Sequence, residues 1–220
     1  MFLLTFGHVH QSYYWSRKEA RLRDVKRCLS DTELVARCLN GDRKAFAAIV
    51  EKYAEAVRAV AYSYTRDLSD VDDVAQSAFL SALSSLHRLR DPSKLSGWLG
   101  RITSNLCIDW LHARNREVPL DGTQLSGIRS EDLPRQPTEP PVDAVLATER
   151  REQVLRAIDR LPDDYRTAVL LRYWSNLSYE GIASFLDVPM STVKGRLYKA
   201  KRLLRSKLKC YVEEREKIEG

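Results

Sequence analysis

The chain has 220 residues, which is enough for one large domain or two small ones. Its 36 lysines and arginines exceed its 30 aspartates and glutamates, an imbalance too small for a histone-like tail. This charge balance favours local basic patches on an otherwise neutral surface. The four cysteines, Cys28, Cys38, Cys107 and Cys210, form no CxxC pair, so we expect reduced thiols and no disulfide framework.

The N-terminal stretch MFLLTFGHVH contains an apolar run shorter than a secretory signal, and no cation precedes it. Nowhere does the chain approach the roughly 20 apolar residues that a membrane span requires. We therefore expect a soluble, cytoplasmic protein without membrane insertion.

Helical periodicity dominates the sequence, and no alternating strand pattern lasts. Residues 1–25 fit no helical module, and we interpret them as a loosely ordered extension. The segment DTELVARCLN ends at Asn40 and Gly41, a helix stop, and Asp42 can cap the next helix. That long helix should bury apolar residues that recur at helical spacing: Phe46, Ile49, Val50, Tyr53, Val57, Val60, Ala61 and Tyr64.

A further helix follows the segment DLSD, and Asp91 with Pro92 breaks the chain after it. Its apolar stripe contains Val71, Val74, Ala75, Ala78, Phe79, Ala82 and Leu86. The next segment, SGWLGRITSNLCIDWLHARNRE, is predicted to be helical to about Arg116. We expect its buried side to contain Leu99, Ile102, Leu106 and Trp110.

Composition changes after Val118, where PLDGTQLSGIRSEDLPRQPTEPPVD holds five prolines and two glycines and shows no periodic apolar face. We predict a flexible linker over 118–144. The predicted fold class is all-α, with two small helical domains at 26–117 and 145–212.

The segment SYEGIASFLDVPMSTVKGRLYKAK has the spacing of a helix-turn-helix, with the turn at Val188 and Pro189. Asp187 sits where such turns often have glycine, and aspartate tolerates the left-handed conformation. The apolar side of the first helix should contain Ile182, Ala183 and Leu186. The inner face of the second helix should contain Val193, Leu197, Ala200 and Leu204.

The opposite face of the second helix is cationic, and residues 188–202 contain no acid. It presents Ser191, Gly195, Tyr198 and Arg202, flanked by Lys194 and Lys199. Because glycine costs a helix interior about 1 kcal/mol relative to alanine, Gly195 indicates close approach to another molecule. Such a face suits a DNA major groove, where cations reach phosphates or guanine edges. The competing interpretation is a solvated cationic helix with an incidental glycine.

The segments DVDDVAQSAFLSAL and GWLGRITSNLCIDWLHARNRE, then the linker and the helix-turn-helix, resemble the extracytoplasmic-function (ECF) sigma factors of the sigma-70 superfamily. The resemblance covers roughly Leu29 to Leu208 in collinear order. It implies a non-enzymatic initiation factor without cofactor or metal that binds core RNA polymerase. It further implies recognition and melting of promoter DNA with −35 and −10 elements, in an envelope or environmental stress response, and an anti-sigma factor as partner.

The resemblance also implies residue roles. The DVDDVAQ helix would dock on the polymerase, with contacts at Asp72, Asp73, Gln76 and Leu80. The helix from Gly97, with the loop HRLRDPSK before it, would contact the −10 element through His87, Arg88, Lys94, Trp98, Arg101 and Asn105. The recognition helix would contact the −35 element through Ser191, Thr192, Lys194, Gly195, Arg196, Tyr198, Lys199, Lys201 and Arg202. Plainer interpretations are acidic helix capping for the aspartates and core packing for Trp98 and Trp110.

Two other functions remain open. A conventional helix-turn-helix regulator with an N-terminal sensing domain would bind duplex DNA tightly without polymerase, unlike a sigma factor. A metal- or redox-responsive enzyme or sensor could use His8, His10, Cys28 and Cys38, although these residues lack standard zinc-ligand spacing. The sequence contains no nucleophile–base constellation and no phosphate-cradling glycine loop, so we expect no catalytic activity.

Overall fold

A computed structural model of the protein describes residues 29–117 and 153–216, with side chains described to 114 and to 208 respectively. Within these ranges the chain forms α-helices and short 3-10 turns, without a strand. The predicted all-α fold class is confirmed. The predicted extension over 1–25, the linker over 118–144 and the start of the second domain lie outside the described residues.

Two helical modules result. The first module (residues 29–117) contains α1 Asp31–Leu39, α2 Arg43–Thr65, α3 Leu68–Ser85 and α4 Leu95–Glu117, with 3-10 turns Leu86–Arg88 and Pro92–Lys94 between α3 and α4. The second module (residues 153–216) contains a helical segment α5 over 153–159, then α6 Asp163–Tyr173, α7 Tyr179–Leu186 and α8 Met190–Glu216.

Short polar side chains begin the helices of the first module. The Ser30 hydroxyl accepts a hydrogen bond from the Glu33 backbone amide, and the Glu33 carboxylate accepts one from the Ser30 amide at 2.8 Å, completing a capping box. Asp42 caps α2 as predicted, and Gly41 before it has φ of 87°, a conformation that favours glycine. Asp67 caps α3 by accepting from the Ser69 amide at 3.0 Å.

The core of the first module lies around α2, which contacts α1, α3 and α4. The apolar stripe predicted for α3 is buried, except that Phe79 is half-buried. On α4 the predicted stripe is rotated by about one residue, because the fully buried positions include Leu95, Leu99, Thr103 and Cys107. Thr103 can be buried because its hydroxyl donates to the Leu99 carbonyl at 2.9 Å, and cysteine behaves as a small apolar residue. The half-buried positions are Ile102, Leu106 and Trp110.

Helices α7 and α8 form the predicted helix-turn-helix. The inner face of α8 is buried as predicted, at Val193, Leu197, Ala200 and Leu204. Phe185 takes the fully buried position beside Ile182 on α7, whereas Leu186 is only half-buried. Asp187 ends α7 with φ 54° and ψ 47°, the left-handed conformation that aspartate tolerates.

The two modules pack directly against each other, α2 against α6 and α4 against α7. The Tyr53 ring of α2 stacks on the Phe185 ring of α7, with 6.2 Å between ring centroids. The Tyr62 ring packs against the Trp174 indole at 5.3 Å. The helix-turn-helix is therefore held against the first module.

Candidate nucleic-acid interface

The groove face of α8 is defined by Ser191, Lys194, Gly195, Tyr198, Lys199 and Arg202. All six residues are exposed, and Tyr198 retains 65% of its accessible surface. A Cβ atom added at Gly195 would meet nothing within 4 Å, so internal packing does not require this glycine. The face is therefore cationic and open to solvent, and it has no side chain at its centre, where Gly195 lies.

The other predicted −35 residues are less accessible, because Thr192, Arg196 and Lys201 are half-buried. The Arg196 side chain is 19% exposed, and its Nη2 lies 2.9 Å from Oδ2 of Asp164 in the first turn of α6. This ion pair ties α8 to α6. A DNA phosphate would have to compete with Asp164 for the Arg196 guanidinium.

Local hydrogen bonds position the recognition helix. The Ser178 hydroxyl caps α7 by accepting from the Gly181 amide at 3.0 Å. After the left-handed Asp187, the Val188 amide donates to the Ala183 carbonyl at 3.0 Å, which closes the end of α7. The Pro189 carbonyl then accepts from the Thr192 amide at 2.9 Å and begins α8. These bonds set the direction of the groove face.

The −10 face is defined as the loop His87–Lys94 together with Trp98, Arg101 and Asn105 on α4. Asp91 shapes this loop, because its carboxylate accepts from the Ser93 amide at 3.0 Å and from the Ser93 hydroxyl at 2.6 Å. These two hydrogen bonds hold the pKa of Asp91 below its ordinary value. Trp98 is half-buried, and the other predicted contact residues of the −10 face are exposed: His87, Arg88, Lys94, Arg101 and Asn105.

An open cleft of about 390 Å³ lies at this face, between the loop, the first turns of α4 and the end of α7. Lys94, Trp98 and Arg101 line one side, and Ser184 and Asp187 line the other. A cleft with an indole and two cations can hold a stacked base and its phosphate. Two of the residues that line it, Ser184 and Asp187, come from the second module.

The contact of α4 with α7 was absent from the sequence predictions. Arg101 Nη2 lies 2.6 Å from Oδ2 of Asp187, an ion pair between residues 86 positions apart. Gly97 and Gly100 face the carbonyl groups at the end of α7. The one available signal was the spacing of these two glycines, which places both on the same side of a helix.

The polymerase stripe is defined as Asp73, Gln76 and Leu80 on α3, and all three are exposed. The Leu80 residue is 59% exposed, and Leu83, one helical turn further, is also exposed and extends the stripe. Sequence reasoning did not assign Leu83, although its i+3 spacing from Leu80 was available. An apolar pair on a polar helix face is typical of a partner-binding surface.

The remaining aspartates of α3 have other partners. Asp70 lies in the first turn of the helix and its Oδ2 is 3.0 Å from Nη1 of Arg114. Asp72, assigned to the polymerase contact by resemblance, accepts a hydrogen bond from Arg58 at 2.6 Å while its side chain remains largely exposed. Asp67 therefore caps the helix and Asp70 pairs with Arg114 in its first turn, and neither role extends to Asp73.

Among the residues that the structure describes, no cluster of three or more histidine, cysteine, aspartate or glutamate side chains could hold a metal ion. His8, His10 and Cys28, which the alternative metal or redox site requires, lie outside the described residues. Burial raises the pKa of Cys38 and raises that of Cys107 to about 12, so both thiols stay protonated at neutral pH. In the described ranges no helix combines the length and apolarity of a membrane span.

Comparison with protein families identifies both modules. The sequence matches the model for Sigma-70 region 2 over residues 49–117, which covers most of α2 and all of α3 and α4. It matches the model for Sigma-70, region 4 over residues 151–204, which includes the helix-turn-helix. The polymerase stripe and the −10 face thus lie in the first match, and the groove face in the second.

Related sequences cover most of the chain. It is 34% identical over 183 residues to the ECF RNA polymerase sigma-E factor of Escherichia coli K12, covering 82% of this chain and 95% of that protein. It is 32% identical over 182 residues to the ECF RNA polymerase sigma-E factor of Haemophilus influenzae, covering 82% and 96%.

Solved structures show a similar fold. CnrH in complex with the cytosolic domain of CnrY matches with a TM-score of 0.56 at 24% identity, covering 82% of this chain and 97% of CnrH. The sigma factor RpoE, in complex with the anti-sigma factor NepR from Bartonella quintana, matches with a TM-score of 0.51 at 23% identity, covering 76% and 98%. These two likenesses concern the fold.

Proposed function

The chain belongs to the extracytoplasmic-function RNA polymerase sigma factors, and from this membership we propose that it directs core polymerase to promoters with separate −35 and −10 elements. Sigma factors are transcription initiation factors rather than enzymes in themselves. The observation that carries the proposal is the exposed cationic groove face of α8, on the same chain as the exposed stripe from Asp73 to Leu80.

The groove face is proposed to read the −35 element in the major groove. Gly195 leaves room for the helix backbone to approach the bases, and Tyr198 can pack on thymine methyl groups or sugars. Lys194 and Lys199 flank this centre and can reach guanine edges or phosphates. The half-buried Arg196 is better placed for a phosphate at the edge of the contact.

The −10 face is proposed to bind the melted strand. Extruding one base from the duplex costs a few kcal/mol. Stacking on an aromatic side chain returns about 1–3 kcal/mol per base, and Trp98 offers a partly exposed indole for this purpose. Arg101 and Lys94 lie beside it and can pair with the backbone phosphates.

The polymerase stripe is proposed to dock on core polymerase. Leu80 is the expected hot spot, because a large apolar side chain at the centre of a polar surface gains most when a partner covers it. Asp73 and Gln76 would supply polar contacts around it, and Leu83 would extend the apolar centre. Because the polymerase works in the cytoplasm, we place the protein there.

An anti-sigma factor is proposed as a further partner. The similar structure of CnrH was solved in complex with the cytosolic domain of CnrY, and that of the sigma factor RpoE in complex with the anti-sigma factor NepR. The ECF class supports a role in an envelope or environmental stress response.

Selection from a random duplex library, with and without core polymerase, tests the proposal against a conventional helix-turn-helix regulator. The holoenzyme should enrich two sequence boxes at a fixed separation, whereas the protein alone should enrich weakly or not at all. Enrichment of one box by the protein alone, unchanged by polymerase, would favour the regulator. Lys44→Ala, which removes one exposed cation of α2 that belongs to neither DNA face, controls for net charge.

A further inference from the structure

One cation of the recognition helix α8 is already paired within the protein. The Arg196 side chain is 19% exposed, and its Nη2 lies 2.9 Å from Oδ2 of Asp164 in the first turn of α6. Lys199 and Arg202 on the same helix are exposed, and neither makes an ion pair with another side chain that the structure describes. Arg196 therefore differs from these two cations, because an acid of the protein itself occupies it.

The carboxylate next to Asp164 in the chain has another partner. Oδ1 of Asp163 accepts a hydrogen bond from Nη1 of Arg166 at 2.8 Å. Asp164 is consequently the acid of this turn that serves Arg196. Burial raises the pKa of Tyr64 on α2, and the charges of Asp164 and Arg196 also act on its hydroxyl. The Arg196 side chain is thus directed towards α6 and α2 rather than towards the groove face.

Arg196 nevertheless lies on a flank of α8 where DNA would pass. It follows Thr192 by four residues and precedes Lys199 by three, so the three side chains are neighbours along one side of the helix. Thr192 and Lys199 are both predicted contacts of the −35 element. A DNA strand bound along this flank would bring its phosphates close to Arg196, and close to Asp164 as well.

The carboxylate is the more exposed partner of this ion pair. The Asp164 side chain is 67% exposed, against 19% for Arg196. A phosphate that approaches from solvent therefore meets a negative charge beside the guanidinium that it would bind. Carboxylate and phosphate oxygens accept the same charge-assisted hydrogen bonds from arginine, so the two anions compete for Arg196.

The ion pair is weak enough to be exchanged. A pair with one largely exposed partner contributes little to stability and is screened by salt. Buried apolar side chains anchor α8 independently of it, at Val193, Leu197, Ala200 and Leu204. Exchange of Asp164 for a phosphate therefore leaves the recognition helix in place.

We propose that Asp164 is an affinity-determining residue of the second module, which occupies Arg196 in the free chain and yields it to a DNA phosphate on binding. Its carboxylate thereby weakens binding to duplex DNA of every sequence. Because a phosphate contact carries no sequence information, the preferred −35 sequence does not change. The inference rests on the proposed function for its meaning, but it is measured on the free chain without polymerase.

Asp164→Asn in the full chain tests the exchange, because it removes the charge and keeps the size of the side chain. The probe is a fluorescein-labelled, random-sequence duplex, and its binding is followed by fluorescence anisotropy. Binding should tighten about threefold at low salt, within the range expected for one surface ion pair. The difference should shrink at higher salt, which screens exposed charges. Asp164→Glu keeps the charge and should bind as the wild type does.

Arg196→Ala distinguishes exchange from simple repulsion between Asp164 and the phosphates. In this background Asp164→Asn should have little effect, because no guanidinium remains to be released. Equal tightening in both backgrounds would overturn the exchange, since Asp164 would then act on the phosphates directly. Weaker binding by Asp164→Asn would also overturn it, because the ion pair would then be needed to position α8 for DNA.

Glu51→Gln is the matched control for net charge, since Glu51 is an exposed acid of α2 outside both DNA faces and the polymerase stripe. It should leave binding unchanged, and an equal tightening would overturn the role of Asp164. Circular dichroism should show unchanged helicity in Asp164→Asn, and a loss would overturn the independent anchoring of α8. Failure of the proposed function would instead appear as absent promoter-specific transcription, with these affinities unaffected.

Discussion

Replacing Leu80 by arginine should weaken the binding of core RNA polymerase without disturbing the fold. Leu80 is 59% exposed on the outward side of α3, so the free energy of unfolding should change by about 0.5 kcal/mol or less. Burying a whole leucine side chain is worth about 1.5–3 kcal/mol, so covering the exposed 59% of Leu80 would contribute about 1–2 kcal/mol.

Arginine at this position would lose that contribution and add the cost of desolvating a cation without a partner. We therefore expect a total loss of about 2 kcal/mol or more, the threshold of a hot spot, which raises the dissociation constant roughly thirtyfold. Asp73→Arg on the same stripe should act in the same direction.

Surface plasmon resonance on immobilised core polymerase measures this loss, and circular dichroism checks the fold. Leu39→Arg is the matched control, since Leu39 at the end of α1 is 53% exposed and lies outside the stripe. It should bind as the wild type does. Wild-type affinity for Leu80→Arg would refute the assignment of the stripe, and loss of helicity would refute its outward placement.

Three further predictions concern the second module. Lys199→Ala should change the preferred −35 sequence at one position by about 1–3 kcal/mol, whereas Arg196→Ala should weaken all sequences alike and lower the salt slope by about one unit. Selection from a −35 library at two salt concentrations distinguishes them, and the reverse pattern would show that the rotation of α8 is wrongly assigned. Arg166→Ala should lower the free energy of unfolding by about 3–5 kcal/mol in urea titrations, because Arg166 is only 1% exposed and its loss leaves the Ser63 and Leu161 carbonyl groups without their donor and Asp159 with one cation fewer; a loss below about 1 kcal/mol, an ordinary substitution effect, would contradict this. Because the pKa of Asp159 is raised in the folded protein, its contribution to stability is present below its ordinary value of 3.8 and is lost as the pH rises through the raised pKa. Asp159→Asn should lack this decline when unfolding is measured across the acidic range, and an identical pH profile would contradict the assignment.

Local patterns predicted the helices and their ends well. The stop at Asn40 and Gly41, the cap at Asp42 and the left-handed Asp187 each follow from one residue's own conformational preference. The inner face of α8 followed from helical spacing, because every member of that stripe is apolar.

The errors arose where burial depends on a neighbouring element. On α4 the large apolar residues were expected inside, yet Thr103 and Cys107 are buried because their small side chains fit against the other helices. Arg166 would ordinarily be placed at the surface, and only its carbonyl partners in the folded chain make its burial possible.

The candidate sites follow the same pattern: features set within one helix were predicted, and those that depend on a second element were not. Helical spacing correctly placed the exposed residues of the groove face and of the polymerase stripe. The covering of Gly97 and Gly100 by α7 joins residues more than 80 positions apart, and the spacing of the two glycines indicates a shared side of the helix but not the element that packs there. For that reason the residues of the −10 face were predicted, but the cleft that they form with the end of α7 was not.

Run-off transcription measures the central claim most directly. The full chain is combined with core polymerase on templates that carry randomised boxes at the −35 and −10 positions, and the transcribed templates are sequenced. We predict transcripts that depend on this protein and whose templates share two enriched boxes. The absence of promoter-specific transcripts, while the protein alone occupies duplex sites at nanomolar concentration, would contradict the account.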